Sequence, residues 1–260
     1  MMTIERDPRD RFTDRVENYV RFRPSYPPSV LSPLKPLLNK KGNVAVADLG
    51  SGTGVFSKLL LDAGFHTYAV EPNPAMRRAA EVQLNGHSGF HSVEGEGEAT
   101  TLETASVDAI TVAQAFHWFA ITKAVSEFAR ILKPDGLVLL IWNDRRVDCD
   151  GFHRGYEDLL LQYGTDYSRI NHRNITGGRI RELFNGWLCE EEKIHHFQKF
   201  DVDGLRGRLE SSSYCPPEGH PDYFPLIRGL EDLFKREARD GFVRMEYDCT
   251  VYKIIKPINE

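Results

Sequence analysis

One short segment limits what this chain can fold into more than any other: DLGSGTG at residues 48–54. It continues an apolar, β-branched run, NVAVADL at 43–49, and leads into VFSKLLLDA at 55–63, a helical pattern closed by Gly64. A strand that enters a glycine-rich turn and leaves as a helix needs glycines there. They accept positive φ and allow a ligand to approach the backbone closely. Such a unit is the start of a parallel sheet with crossover helices.

The rest of the chain carries the pattern on. Strands are expected at 43–49, 66–71, 90–93, 107–113 and 137–142, and helices at 30–38, 55–63, 75–84 and 122–132. The prolines at 33 and 36 weaken the first helix, and the turn KPDG at 133–136 ends the last. Strand–helix alternation at this spacing predicts a parallel sheet with right-handed crossovers. Beyond residue 150 the pattern changes. Helices are expected at 152–163, 178–184, 203–209 and 222–239, and long strands at 187–200 and 242–255. The two strands complete the sheet and the helices form a cap. With 260 residues, 41% of them hydrophobic and 27% charged, one elaborated α/β domain fits best. It divides into an arm at 1–41, a core at 42–145, and cap helices with the last two strands at 146–260.

The turn alone would suit a dinucleotide, a phosphate or another nucleoside. A dinucleotide fingerprint needs glycine where Val55 stands, and a Walker A loop needs a Gly-Lys-Ser/Thr that is absent. Asp48 would repel a pyrophosphate and attract a cation. S-adenosylmethionine is cationic at its sulfonium and amino groups and has no phosphate, so the acidic strand end favours it over NAD. Glu71, followed by Pro72, ends the second strand about 20 residues beyond the turn, where a ribose-binding acid belongs. A solvated strand-end carboxylate is the competing reading of Glu71.

With these residues in view, the sequence resembles the class I S-adenosylmethionine-dependent methyltransferases, specifically the small-molecule type with an E/DxGxGxG motif, as in methyltransferase domain 11. DLGSGTG looks like the methionine-binding turn (Asp48, Gly50, Ser51, Gly52), and VEPNPAM like the ribose strand end. GEGEATTLETASVD resembles the approach to strand four, with Glu96 and Gly97 framing adenine and Glu98 one step on. VAQAFHWF, including Gln114, resembles the strand-four end over the active site, and RILKPDGLVLL the turn before strand five. YVRFRPSYP at 19–27 resembles the RPxYP opening of a subgroup that includes trans-aconitate-type carboxyl methyltransferases. The pattern departs at Gly97, where the family often has Ala, and at Thr101, where it often has Pro. The resemblance implies a Rossmann-like seven-stranded, mostly parallel sheet with helices on both faces and a C-terminal helical cap.

The remaining candidates are weighed singly. His117 is a candidate general base, because imidazole titrates near neutrality, and Trp118 a wall of the acceptor site; packing against the cap competes for both. Tyr19, Arg23 and Tyr26 form a candidate lid, with Arg23 suited to the methionine carboxylate. Trp142, Arg145 and Tyr214 are candidates to meet the acceptor, Arg145 above all if the acceptor is an acid. His195 and His196 sit in a strand and point to opposite faces, and no HExxH occurs, so no catalytic metal is expected. The arginine-rich stretch at 169–181 reads as solvated cap surface, with a docking patch for an anionic partner as the competing reading.

A formal charge of −5 makes the chain a poor binder of nucleic-acid backbone. Its longest apolar run, 137–142, cannot span a bilayer, and a charged N-terminus lacks a signal segment. The four cysteines form no CxxC pair, which suits a reducing cytosol. The expected activity is methyl transfer to a small-molecule carboxylate or hydroxyl in the cytoplasm. The competing readings are a binding protein without activity and a tRNA methyltransferase. Nothing in the sequence fixes an oligomeric state.

Overall fold

A computed structural model describes residues 25–167 and 175–257. Tyr19 and Arg23 lie outside the described residues, as do residues 169–174 of the arginine-rich stretch. The prolines at 33 and 36 split the first expected helix. A 3-10 turn, Pro28–Leu31, is followed by α1 (Lys35–Lys41), in whose first turn Pro36 is tolerated.

The order then runs β1 (Ala45–Leu49), α2 (Val55–Asp62), β2 (His66–Val70), α3 (Pro74–Leu84), β3 (Phe90–Val93) and β4 (Val107–Ala113). After a 3-10 turn at Phe116–Trp118 come α4 (Ile121–Ile131), β5 (Leu132–Arg145), α5 (Gly151–Tyr163) and α6 (Gly177–Leu183). The chain closes with β6 (Leu188–Phe200), α7 (Val202–Glu210), α8 (Tyr223–Glu237) and β7 (Val243–Ile255). The described strands form one seven-stranded sheet in the order β3-β2-β1-β4-β5-β7-β6. The first five are parallel, and β7 runs antiparallel to both β5 and β6. The strand order reverses between β1 and β4, so the crevice at their carboxyl ends is the topological switch point where ligands bind in such sheets.

β1 and β4 are buried almost throughout, which is why both read as unbroken apolar runs. One face of the sheet packs on α4 through Ala124, Phe128 and Ile131. The other packs on Phe56 and Leu60 of α2 and on Val30, Leu31 and Leu34. β5 is longer than expected. Residues 133–136 are absorbed as an irregularity in its pairing with β4 rather than ending in a free turn, with Asp135 at φ 60°.

The expected cap divides in two. α5, α7 and α8 share an apolar cluster around Tyr156, Leu205, Leu226 and Tyr247. α6 instead joins the sheet core, where Ile180 and the adjoining Phe184 pack with Phe116, Phe128 and Trp142. The two histidines of β6 diverge as their alternation requires. His196 stacks on Tyr247 and meets Asn143 Oδ1 at 2.7 Å, while the half-exposed His195 pairs with Asp248. No helix among the described residues is long and apolar enough to cross a membrane.

Candidate active site

Gly50, Gly52 and Gly54 all adopt positive φ (67°, 58° and 84°), which carries the chain from β1 into α2 within a few residues. The space around each differs. A Cβ on Gly50 would lie 2.6 Å from Ala115 Cβ and one on Gly54 2.7 Å from Leu84, whereas one on Gly52 meets only Met76 Sδ at 3.6 Å. Gly50 and Gly54 are therefore held by packing, and Gly52 faces open space. The hydroxyls of Ser51 and Thr53 are buried without a hydrogen-bond partner among the described residues. Unmet polar groups in a glycine turn suit a polar ligand.

Asp48 lies beneath this turn rather than at its mouth. It is 1% exposed and accepts hydrogen bonds from Ser57 Oγ (2.6 Å) and Thr111 Oγ1 (2.9 Å). Burial pushes its carboxyl up to about 6, against the two hydroxyls that hold it down. Glu71 reaches back to the turn from the end of β2. Its Oε2 accepts the Gly52 N–H at 2.9 Å and its Oε1 the Asn73 N–H at 2.9 Å. Each oxygen keeps lone-pair capacity for a further donor. Burial also raises the Glu71 carboxyl. Asn73 caps α3 through the Ala75 and Met76 amides, and Arg77 donates to the Glu71 and Pro72 carbonyls, so this strand end is fixed from both sides.

The third wall comes from the loop before β4. Glu96 and Ala99 pair in an isolated bridge, and Gly97 presses against Phe119 so closely that a Cβ would stand 2.4 Å from the ring. The same ring lies 3.4 Å from a Cβ built on Gly50, so Phe119 stands between the two glycine segments. Thr100 anchors the loop to α4, because Glu127 accepts both its N–H (2.9 Å) and its hydroxyl (2.6 Å). The Arg130 guanidinium beside Glu127, and then these bonds, hold that carboxyl down to about 2. Gln114, at φ 57°, ends β4 and donates from Nε2 to the Asn143 carbonyl at 2.9 Å, which ties the carboxyl ends of β4 and β5 together. His117 and Trp118 follow in the 3-10 turn with rings 4.8 Å apart, and Trp118 is 36% exposed.

The residues expected to meet the acceptor do not stay together. Trp142 is a core residue, 4% exposed, with its ring against Phe116 and Tyr252. It stands three residues before Arg145 in a strand, so the two project from opposite faces. Arg145 and Tyr214 do converge, on the cap. Arg145 pairs with Glu157, contacts the Tyr167 hydroxyl at 3.2 Å and stacks on Tyr156 with its guanidinium 4.7 Å from the ring centre. Tyr214 packs edge-on against Tyr167.

Sequence reasoning missed Phe119, Tyr156 and Arg208. A signal existed for Arg208, since it shares a helical stripe with the buried Leu205 and Leu209, and a cation on an apolar stripe demands a reason. Cys149, Asp150 and His153, which the sequence analysis did not single out together, come within ligand distance of one another. Both His153 nitrogens are engaged there, Nδ1 with Asp150 and Nε2 with the Glu246 N–H.

The family described as "Methyltransferase domain" matches residues 47–140. An uncharacterized methyltransferase of Mycobacterium tuberculosis is 37% identical over 145 residues, 56% of this chain and 57% of that one. The chain therefore spans little more than half the length of that relative. An uncharacterized methyltransferase of Schizosaccharomyces pombe is 30% identical over 210 residues, 78% of each chain. Among solved structures, the YcgJ protein of Bacillus subtilis has a TM-score of 0.56 at 20% identity, covering 88% of this chain and 99% of that one. Phosphoethanolamine N-methyltransferase 2 of Haemonchus contortus, in complex with S-adenosyl-L-methionine, has a TM-score of 0.57 at 16% identity, covering 96% and 59%. Strand order and relatives agree: the chain belongs to the class I S-adenosylmethionine-dependent methyltransferases.

Proposed function

We propose that this chain transfers the methyl group of S-adenosylmethionine to a small-molecule acceptor, a carboxylate or a hydroxyl. The observation that carries the proposal is the joining of Glu71 to the Gly52 amide. It sets the ribose-spaced acid against the glycine turn and leaves the Ser51 and Thr53 hydroxyls to be satisfied. In this reading the turn, with Gly50, Ser51 and Gly52, cradles the amino-acid end of the cofactor, and Glu71, with Pro72 behind it, accepts the ribose hydroxyls. Glu96 and Gly97 edge the adenine, with Phe119 at its face, and Gln114 lines the methionine side. Asp48 supports a cation from beneath through its buried charge. Tyr19 and Arg23 are assigned to the lid by resemblance.

S-adenosylmethionine, when bound, supplies a methyl group activated on a cationic sulfur. The protein's part is therefore to position the acceptor and exclude water. A carboxylate acceptor is ionised at neutral pH and needs no base. For a hydroxyl acceptor, His117 takes the proton and Trp118 walls the site. An oxygen acceptor is also what acts in a relative that matches part of this chain. Malonyl-[acyl-carrier protein] O-methyltransferase of Methylococcus capsulatus is 40% identical over 93 residues, 34% of each chain.

Incubation with methyl-labelled S-adenosylmethionine and a fractionated metabolite extract tests the proposal. Label should enter the low-molecular-mass fraction, released by alkali if the product is an ester. Label found only in RNA, or no transfer from a cofactor that binds, would overturn it in favour of the tRNA-modifying or the inactive reading.

A further inference from the structure

We infer that the cap holds an oxyanion site, built by Arg208 and Tyr156 with Arg145 at its edge, which anchors an anionic group of the methyl acceptor. This rests on the methyl-transfer reading above and adds to it the charge of the acceptor and the residues that read it.

Arg208 is 6% exposed and lies in the last turn of α7. It donates from Nη1 to Ser212 Oγ at 2.8 Å, while its Nε is buried and bonds nothing among the described residues. Its strongest electrostatic neighbours are Tyr247, which also hydrogen-bonds its side chain, Tyr214 and Tyr156. Burial drives the Tyr156 hydroxyl well above the usual phenol range, so it stays protonated and can donate. A guanidinium cannot shed its charge, so burying one without a counter-ion among the described residues carries a heavy desolvation cost. The carboxyl end of α7 and the Ser212 hydroxyl offset only part of that charge.

Tyr156 makes a second, independent case. It is 1% exposed, and its hydroxyl is also buried without a partner. Two unmet polar groups, one of them a permanent cation, therefore stand in the same cluster. Glu157, which meets Arg145 beside the Tyr156 ring, is already committed to Arg145 and to the Tyr167 hydroxyl at 2.7 Å. A bound carboxylate or comparable oxyanion would accept from Arg208 Nε and from the Tyr156 hydroxyl, the first a charge-assisted bond. Place supports this. Arg145 ends β5 and pairs in register with Tyr247 of β7. The cluster thus stands at the carboxyl edge of the sheet, two strands from β1, or about 10 Å across at ordinary strand spacing. An acceptor anchored here would present its other end to the switch point.

The test is a titration of sodium glutarate, and separately of sodium sulfate, into the full chain saturated with S-adenosylhomocysteine at constant ionic strength. The readout is the unfolding midpoint, and neutral glutaramide is the control. The inference expects a saturable rise with at least one anion, none with glutaramide, and at least a roughly tenfold weaker response in R208Q, as for truncation of a buried charge pair. A response to glutarate alone identifies a carboxylate site, and one to both anions a general oxyanion site. No saturable rise with either anion, or one that survives in R208Q, would overturn the inference. If R208Q does not fold, Y156F serves in its place, with the anion response expected to weaken roughly fivefold; an unchanged response overturns it equally. Calorimetry of S-adenosylhomocysteine on the same proteins separates the two readings. Its affinity should be equal in wild type and variants, and failure of wild type to bind it would count against the methyl-transfer reading alone.

Discussion

Asp48 shows how burial changes the role a residue type suggests. As an acid beside a glycine turn it invites a direct ion pair with the ligand, yet both its oxygens are occupied by Ser57 and Thr111. Its folded-state carboxyl, at about 6, lies above its ordinary 3.8. The folded chain thus holds this proton more tightly than the unfolded chain does. Ionising Asp48 removes stability as pH rises from the ordinary value through about 6, by on the order of 3 kcal/mol in all. D48N should therefore raise the unfolding midpoint of the ligand-free protein at neutral pH, because the two hydroxyls can reorient to keep both hydrogen bonds. The same substitution should weaken S-adenosylmethionine binding. In the wild type, affinity should increase between about pH 5 and pH 7 as Asp48 ionises, and D48N should flatten that rise. Calorimetric titration across pH reads both effects; a midpoint lowered by D48N would contradict the account of Asp48 as a buried charge.

Among the elements, the glycine turn and the loop before β4 are separately testable. Gly50 and Gly52 share a sign of φ but not a neighbourhood. G50A forces a Cβ onto Ala115 and should lower stability by more than the roughly 1–2 kcal/mol expected for left-handed strain alone. G52A carries that strain with little added contact, and should lose cofactor affinity with a smaller loss of fold. Denaturant midpoints beside S-adenosylhomocysteine affinities would distinguish them. The loop before β4 depends on Glu127, whose carboxyl sits at about 2, below its ordinary 4.5. Its contribution is fully present above the ordinary value and is lost as pH falls through the folded one. E127Q should therefore be less stable than wild type at neutral pH, and the gap should close between about pH 4.5 and pH 2. A gap unchanged by acid would assign the effect to packing.

These elements also show what the sequence made legible. The buried strands and the glycine turn carry local signals, periodicity and backbone need, and their bounds fell within a few residues of the structure. The packing of α6 on the sheet and the absorption of residues 133–136 into β5 are decided by partners distant in sequence, which no local pattern encodes. The site divides in the same way. Glu71 follows from a fixed spacing. The Arg208–Tyr156 cluster draws on β5, α5, α7 and β7, and only the stripe of Leu205, Arg208 and Leu209 hinted at it.

At the scale of the whole molecule, the sheet brings two unlike regions to one edge. β1, β2 and β3 deliver a turn, an acid and a loop to the switch point, while the antiparallel β7 and the helices α5, α7 and α8 set a tyrosine- and arginine-rich cluster over the end of β5. In the proposed division of labour, the parallel strands hold the methyl donor and the cap selects the acceptor. The claim beneath it is that the turn at 48–54, closed by Glu71, binds a sulfonium nucleoside. Calorimetric titration of S-adenosylhomocysteine into wild type and E71Q tests it most directly. The account predicts saturable binding to wild type, weakened by about 1–3 kcal/mol in a folded E71Q through the lost charge-assisted hydrogen bonds. Equal affinity in the two proteins, or a wild type that takes up NADH or ATP and ignores S-adenosylhomocysteine, would contradict it.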